Sequence, residues 1–152
     1  MVIGVLSLQG SVEEHIALIH KCGDRGIKVL YPSDLNNIDG LIIPGGESTT
    51  LIKLLKIKDM HTVIIDFVKK GLPVWGTCAG LILLSNRHLK LIDIDVERNG
   101  YGSQLFSFDT NINIKGEEAS VRFIRAPRII SIGSSVEVLS YLNSEAVACR
   151  VD

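Results

Sequence analysis

DGLIIPGGESTT, residues 39–50, decides the fold class of this chain. Its first five residues are apolar enough for a buried strand, which ends abruptly at Pro44 and the glycine pair Gly45-Gly46. Leucines then recur at helical spacing, at Leu51, Leu54 and Leu55. The stretch therefore predicts a buried strand, a tight turn and a helix in immediate succession.

The same alternation continues on both sides of this stretch. Strands are predicted at 2–8, 27–31 and 74–75, helices at about 12–19 and 60–70 and again after Gly80, and residues 32–37 as a loop or a single helical turn. Strands that alternate with helices imply a mostly parallel sheet with helices on both faces. We expect an α/β, three-layer sandwich.

Beyond Leu91 the pattern changes to strand-like pieces broken by Gly, Asn and Pro, at 92–97, 105–108, 121–124, 136–139 and 145–152. They predict an antiparallel extension of the same sheet. A chain of 152 residues is long enough for one well-buried core, so we expect a single domain over residues 1–152.

Composition excludes several classes of function. The net charge is -1, and no run of Lys and Arg with interleaved aromatic residues provides a surface for nucleic acid. The apolar N-terminus lacks the basic region and cleavage site of a signal peptide and is too short to span a bilayer, so a cytoplasmic location is expected. The three cysteines have no metal-binding spacing, and no metal is expected.

Cys78 is the strongest candidate for chemistry. It lies in Gly76-Thr77-Cys78-Ala79-Gly80, a predicted strand-to-helix turn that would force the thiol outward as in the nucleophile elbow of hydrolases. We expect the flanking glycines to permit strained dihedral angles, and the first amides of the helix to favour the thiolate. Cys22 and Cys149 are interpreted as buried structural thiols.

The glycine turn of residues 44–48 is the second candidate loop. Its amides could form an oxyanion hole for acyl transfer at Gly45 and Gly46, together with the amide of Ala79. The alternative is a tight turn in which Ser48 caps the following helix. Both loops follow parallel strands, where sites of open sheets form.

These two loops resemble the class I, or triad, glutamine amidotransferases. Three further motifs narrow the resemblance to the glutaminase subunits of pyridoxal 5'-phosphate synthase: IGVLSLQG at 3–10, ERNGYGSQ at 97–104 and FIRAP at 123–127. The resemblance implies a flavodoxin-like fold of the amidotransferase type. It also implies that L-glutamine is hydrolysed to glutamate and ammonia, which passes to a separate synthase (lyase) subunit, and that this subunit carries no cofactor.

Carried over position by position, the resemblance implies roles for individual residues. Cys78 is the nucleophile, and the glutamine contacts are Gly46, Glu47, Ser48, Arg98, Ile124 and Arg125. An arginine suits the α-carboxylate of glutamine, and an acid or a carbonyl suits its ammonium group. Gln9, Glu14 and His15 match positions that face the synthase subunit in a hetero-oligomer, although an exposed first helical turn explains Glu14 and His15 equally well.

One part of the family pattern is missing. The family completes its triad with His-Pro-Glu, whereas the four histidines here, at 15, 20, 61 and 88, do not precede a glutamate by two residues. We expect that the chain lacks its C-terminal strand and helix and that the native polypeptide continues to this histidine. These 152 residues are then expected to hydrolyse little or no glutamine, because the thiol lacks its base.

Two alternatives stay open at this point. Another class I amidotransferase would share the cysteine turn and deliver ammonia elsewhere, although the GESTT and FIRAP motifs disfavour it. A catalytically silent regulatory or scaffold subunit would explain the missing histidine and leave the intact cysteine turn without a purpose.

Overall fold

Four parallel strands organise the first part of the chain. The structure is a computed structural model that describes all residues 1–152 and contains two compact units, Met1–Leu84 and Ser85–Asp152. The first unit contains, in chain order, β1 (Val2–Leu6), α1 (Val12–Lys21), β2 (Arg25–Val29), a 3-10 helix (Pro32–Asn37), β3 (Gly40–Ile43), α2 (Ser48–Ile57), α3 (Met60–Lys69), β4 (Val74–Gly76) and α4 (Ala79–Leu84).

The strands lie in the order β2-β1-β3-β4, and every neighbouring pair is parallel. In the register of the last pair, Ile43 at the end of β3 lies opposite Gly76 at the end of β4. The predicted α/β class with a parallel sheet is confirmed. Because β3 and β4 end side by side, the loops that follow them begin next to each other.

Helices cover both faces of this sheet. The connection from β1 to β2 runs in the opposite direction to those from β2 to β3 and from β3 to β4, so right-handed crossovers place α1 on one face and α2 and α3 on the other. On the α1 face, Val5 and Ile42 pack against Val12 and Ile19. The other side of the strands contributes further fully buried aliphatic side chains, including Leu6 and Ile43.

The second unit consists of antiparallel pairs. Its strands are β5 (Ile94–Glu97), β6 (Phe108–Ile114), β7 (Glu117–Phe123), β8 (Arg128–Ile132), β9 (Glu137–Leu142) and β10 (Glu145–Arg150), with a 3-10 turn at Gln104–Phe106. They form three separate ladders, β5 with β8, β6 with β7, and β9 with β10. The predicted antiparallel pairing is confirmed, but these ladders do not continue the hydrogen bonding of the parallel sheet.

Some predicted boundaries were wrong. The strand predicted at 105–108 begins only at Phe108 and runs to Ile114, because residues 104–106 form the 3-10 turn. Strand β8 was not predicted, and β2 begins two residues earlier than expected, at Arg25. No helix of the chain has the length and apolar character needed to cross a membrane.

Candidate active site at the ends of strands β3 and β4

Cys78 occupies a strained turn between β4 and α4. Its φ is 50°, in the left-handed region that residues with a Cβ rarely adopt. The turn is held by two backbone hydrogen bonds, from Thr77 N–H to the Ile43 carbonyl at 3.1 Å and from Gly80 N–H to the Thr77 carbonyl at 2.8 Å. The predicted elbow is therefore present, and the Cys78 side chain is half-buried within it.

The flanking glycines serve packing, which corrects part of the prediction. Neither Gly76 nor Gly80 has a positive φ, so the strained dihedral angle belongs to Cys78 itself. A Cβ on Gly80 would lie 2.1 Å from the Ile43 carbonyl oxygen, and one on Gly76 would lie 2.6 Å from the carbonyl carbon of Gly80. The glycines thus let α4 start directly against the ends of β3 and β4.

The Gly45-Gly46 turn lies beside the elbow. A Cβ on Gly45 would lie 3.5 Å from the Cys78 Cβ atom, so the two predicted loops meet within the first unit. None of the backbone hydrogen bonds around the elbow uses the amide N–H of Gly45, Gly46 or Ala79. Ala79 is the first residue of α4, where amides have no partner within the helix. Three amide donors are thus uncommitted in the two loops that flank the thiol.

Ser48 does not cap α2, contrary to the prediction. It is the first residue of the helix and is buried, whereas Glu47 occupies the N-cap position without a hydrogen bond from its side chain to the helix amides. The Glu47 carboxylate instead accepts a hydrogen bond from the Thr49 hydroxyl at 3.2 Å. Gln9 supports this turn in a way that was not predicted, because its Oε1 accepts a hydrogen bond from the Glu47 amide at 2.9 Å.

The loop of residues 9–11 packs tightly on the glycine turn. The Gly45 carbonyl oxygen accepts hydrogen bonds from the Ser11 amide at 3.0 Å and from the Ser11 hydroxyl at 3.4 Å. Gly10 has a φ of 108° and leaves no space for a Cβ, which would lie 2.0 Å from the same oxygen. Ser11 was not predicted as a site residue, and its position after a glycine turn is too common to have indicated one.

His15 contacts the elbow from α1, whereas Glu14 on the same helix is exposed. The ring of His15 joins the Ser11 carbonyl, 2.7 Å from Nδ1, to the Thr77 hydroxyl, 3.4 Å from Nε2. It also lies edge-on to the Trp75 ring, with 6.2 Å between the ring centres. These internal contacts were not predicted. It stays a prediction that His15, Glu14 and Gln9 face a partner protein.

The other predicted glutamine contacts lie in the second unit, in two loops that adjoin at one end of the ladder of β5 and β8. Glu97 of β5 pairs with Arg128 of β8, so the loop after β5 and the segment before β8 are at the same end of the ladder. The Tyr101 amide donates to the Ala126 carbonyl at 3.5 Å. The side chains carried over from the family are all exposed: Arg98, Ile124 and Arg125, the last with a φ of 48°.

A partly exposed polar cluster lies beside these loops. The Arg128 guanidinium lies over the Tyr101 ring, 5.3 Å from its centre, and Arg128 Nε is 3.2 Å from Glu145 Oε1. The Tyr101 hydroxyl is buried without a well-formed hydrogen bond. Burial, and then the Glu145 carboxylate, raises the pKa of Tyr101 to about 12.

The remaining cysteines differ from each other. Cys22 is exposed at the end of α1, so its interpretation as a buried thiol was wrong. Cys149 is half-buried in β10, and burial raises the pKa of its thiol. No group of three or more His, Cys, Asp or Glu side chains in the chain is arranged to hold a metal ion.

Comparison with known proteins identifies relatives with the same fold and motifs. The model of the SNO glutamine amidotransferase family matches residues 5–152. The pyridoxal 5'-phosphate synthase subunit PdxT of Bacillus licheniformis is 45% identical over 159 residues, which cover 99% of this chain and 81% of that protein. PdxT of Thermotoga maritima is also 45% identical, with 99% of this chain and 85% of that protein covered.

Solved structures agree with these sequence matches. A crystal structure described as a glutamine amidotransferase superposes with a TM-score of 0.93 at 35% identity, covering 99% of this chain and 85% of that one. A protein from Thermoplasma acidophilum, described as belonging to a GMP synthase, superposes with a TM-score of 0.72 at 15% identity over 99% of this chain and 78% of that one. The second likeness shows only that the fold is shared.

Proposed function

The chain belongs to the SNO glutamine amidotransferase family, and on that basis we propose that it is the glutaminase subunit of a pyridoxal 5'-phosphate synthase. It hydrolyses L-glutamine to glutamate and ammonia, and the ammonia passes to the synthase subunit. The observation that carries this proposal is the left-handed Cys78 elbow beside the Gly45-Gly46 turn. The cytoplasm, where thiols stay reduced, is the compartment we propose for it.

The reaction begins at the Cys78 sulfur. The thiolate attacks the side-chain amide carbon of glutamine, and the carbonyl oxygen becomes an oxyanion that the free amides of Gly45, Gly46 and Ala79 could stabilise. The carbon–nitrogen bond then breaks, and the nitrogen leaves as ammonia after taking up a proton. A glutamyl thioester remains. Water attacks it, the carbon–sulfur bond breaks, and glutamate and the thiol are released.

Glutamine itself is held, we propose, by the residues carried over from the family. Glu47 and Ser48 follow the glycine turn directly, whereas Arg98, Ile124 and Arg125 come from two adjoining loops of the second unit. An exposed arginine can bind the α-carboxylate of glutamine through two parallel hydrogen bonds. The left-handed backbone of Arg125 supports a functional role, because strained dihedral angles cluster at ligand sites.

Proton transfer requires a base that we do not find in the chain. Histidine occurs only at 15, 20, 61 and 88, and His15 Nε2 is the one imidazole nitrogen shown in contact with a residue next to Cys78, through the Thr77 hydroxyl. We therefore expect these 152 residues to form the thioester slowly and to release little glutamate. Turnover at the rate of a glutaminase with a complete triad would contradict this expectation.

Covalent capture of Cys78 tests the function without requiring turnover. A diazo-ketone analogue of glutamine alkylates a thiol with loss of dinitrogen, and the adduct is located by peptide mass spectrometry. We expect labelling at Cys78 that free L-glutamine suppresses and D-glutamine does not. Cys78→Ser should abolish the adduct, whereas Cys22→Ser, which removes an exposed thiol, should leave it unchanged. Equal labelling of Cys22 and Cys78, insensitive to glutamine, would refute a glutamine site.

One hydrogen bond offers a way for the synthase subunit to change the activity of the site. Gln9 Oε1 holds the amide of Glu47, so a protein that binds near Gln9 could change the Gly45-Gly46 turn. Gln9→Ala should then lower the capture rate stimulated by the synthase subunit more than the basal rate. An equal loss of both rates would reject this route.

The silent regulatory subunit, the alternative left open by the sequence, predicts the opposite result in the capture experiment. Such a subunit would bind the synthase and still show no capture of Cys78 that L-glutamine suppresses. The capture experiment therefore separates the two functions.

A further inference from the structure

The first turn of α1 is connected to both loops of the candidate site. Ser11, just before the helix, holds the Gly45 carbonyl through its amide at 3.0 Å and its hydroxyl at 3.4 Å. Four residues later, His15 reaches Thr77, the residue before the nucleophile. The helix turn thus contacts the glycine turn on one side and the cysteine elbow on the other.

The hydrogen bonds of His15 define which ring nitrogen carries the proton. The Ser11 carbonyl oxygen can only accept, so Nδ1, 2.7 Å away, must donate. In the neutral ring Nε2 then has no proton and accepts the Thr77 hydroxyl at 3.4 Å, at the long end of the hydrogen-bond range. The edge-on contact with the Trp75 ring of β4 fixes the plane of the imidazole.

We propose that His15 is a positioning residue that sets the distance between the nucleophile and the oxyanion loop. This inference rests on the proposed function. Contacts run without interruption from Gly45 through Ser11, His15 and Thr77 to Cys78, so a displacement of the imidazole moves the elbow relative to the glycine turn. The role proposed for His15 is positioning and not proton transfer, because its Nε2 contacts the Thr77 hydroxyl.

Two substitutions separate the two hydrogen bonds of the imidazole. In His15→Asn the side-chain amide can replace Nδ1 and keep the Ser11 contact, but it is too short to reach Thr77. In His15→Gln the longer amide can replace Nε2 and keep the Thr77 contact. Thr77→Val removes the hydroxyl at nearly constant volume. The matched control is His20→Asn, an exposed histidine at the other end of α1.

Capture of Cys78 by the diazo-ketone analogue of glutamine at pH 8 is the first readout, and alkylation by iodoacetamide is the reference for thiol reactivity alone. His15→Asn and Thr77→Val should each lower the capture rate by about tenfold, whereas iodoacetamide rates change by less than about twofold. The double variant should be no slower than either single variant, because both remove the same contact. His15→Gln should stay within about threefold of the unsubstituted chain, and His20→Asn should match it.

The tautomer provides a second readout that does not depend on capture. Long-range ¹H–¹⁵N spectra at pH 8 should show His15 with its proton on Nδ1, the minor form for a histidine in water, and His20 with the ordinary mixture. A proton on Nε2 of His15, or multiplicative losses in the double variant, would overturn the proposal. If the unsubstituted chain shows no glutamine-sensitive capture, the proposed function fails, whereas capture that is unaffected by His15→Asn refutes only the positioning role.

Discussion

Replacing Gly10 by alanine should disturb the site far more than replacing a glycine of the same backbone conformation elsewhere. Gly10 and Gly71 have φ values of 108° and 102°, so alanine meets the same dihedral strain at both. The surroundings differ, since a Cβ on Gly71 would have no atom within 4 Å, whereas one on Gly10 would lie 2.0 Å from the Gly45 carbonyl oxygen. The difference in stability between the two alanine variants therefore measures the steric conflict between the Cβ and the Gly45 carbonyl.

The magnitudes follow from these contacts. Left-handed strain, partly offset by the stiffer unfolded chain, should destabilise Gly71→Ala by about 1 kcal/mol. In Gly10→Ala the carbonyl oxygen must move by about 1.3 Å to reach an ordinary C···O contact. Overpacking adds about 1–3 kcal/mol and the weakened Ser11–Gly45 hydrogen bond about 1 kcal/mol. The free energy of unfolding should therefore differ by about 2–4 kcal/mol between the two variants.

Urea unfolding followed by far-UV circular dichroism measures this difference, and the melting temperature of Gly10→Ala should be lower than that of Gly71→Ala by about 10 °C. Capture of Cys78 at a temperature where both variants are folded should be impaired only in Gly10→Ala. Equal destabilisation of the two variants would show that the glycine turn can move to make room for a Cβ at no cost in stability, and it would refute the reasoning.

Three other predictions concern single residues. Gly80→Ala should lower the free energy of unfolding by about 2–4 kcal/mol, because its Cβ would lie 2.1 Å from the Ile43 carbonyl oxygen; chemical denaturation measures this, and a loss below about 1 kcal/mol would contradict it. At pH 7.5, Cys149 should react with iodoacetamide at least about tenfold more slowly than the exposed Cys22, since burial raises the pKa of its thiol. Mass spectrometry measures the two alkylation rates, and equal rates would disprove this prediction. Tyr101 should ionise near pH 12, and because its pKa is above the unfolded value of 10.0, stability should fall as the pH rises between these values. An ultraviolet titration in which all tyrosines ionise near pH 10 would exclude this.

The sequence predicted the parallel sheet and its two loops because their signals are local. Apolar strands, glycine turns and helical leucine spacing all occur within residues 39–50 and 74–84, and the structure places both loops at adjoining strand ends. Family motifs indicated Cys78, Gly45 and Gly46 as one site for the same reason. The left-handed φ of Cys78 follows from a turn too tight for ordinary backbone angles.

Contacts between distant segments were not predictable in this way. Nothing in the pattern of α1 distinguishes His15, whose ring reaches a residue 62 positions away, from His20, which is exposed. The glycines of the elbow were expected to relieve strain, yet their role depends on a carbonyl of β3 that lies in another part of the sequence. Strand β6 was misplaced because residues 109–111 are polar, and β8 was missed because its adjacent isoleucines at 129 and 130 break the alternation typical of a half-buried strand.

The edge-on pair of His15 and Trp75 gives this chain a built-in optical sensor. Trp75 is its only tryptophan, 56% exposed and three residues before Cys78, so the whole indole emission originates next to the elbow. Ligands, thiol adducts and docking proteins that alter this neighbourhood can thus be followed by unlabelled tryptophan fluorescence, because no second indole in the chain contributes to it.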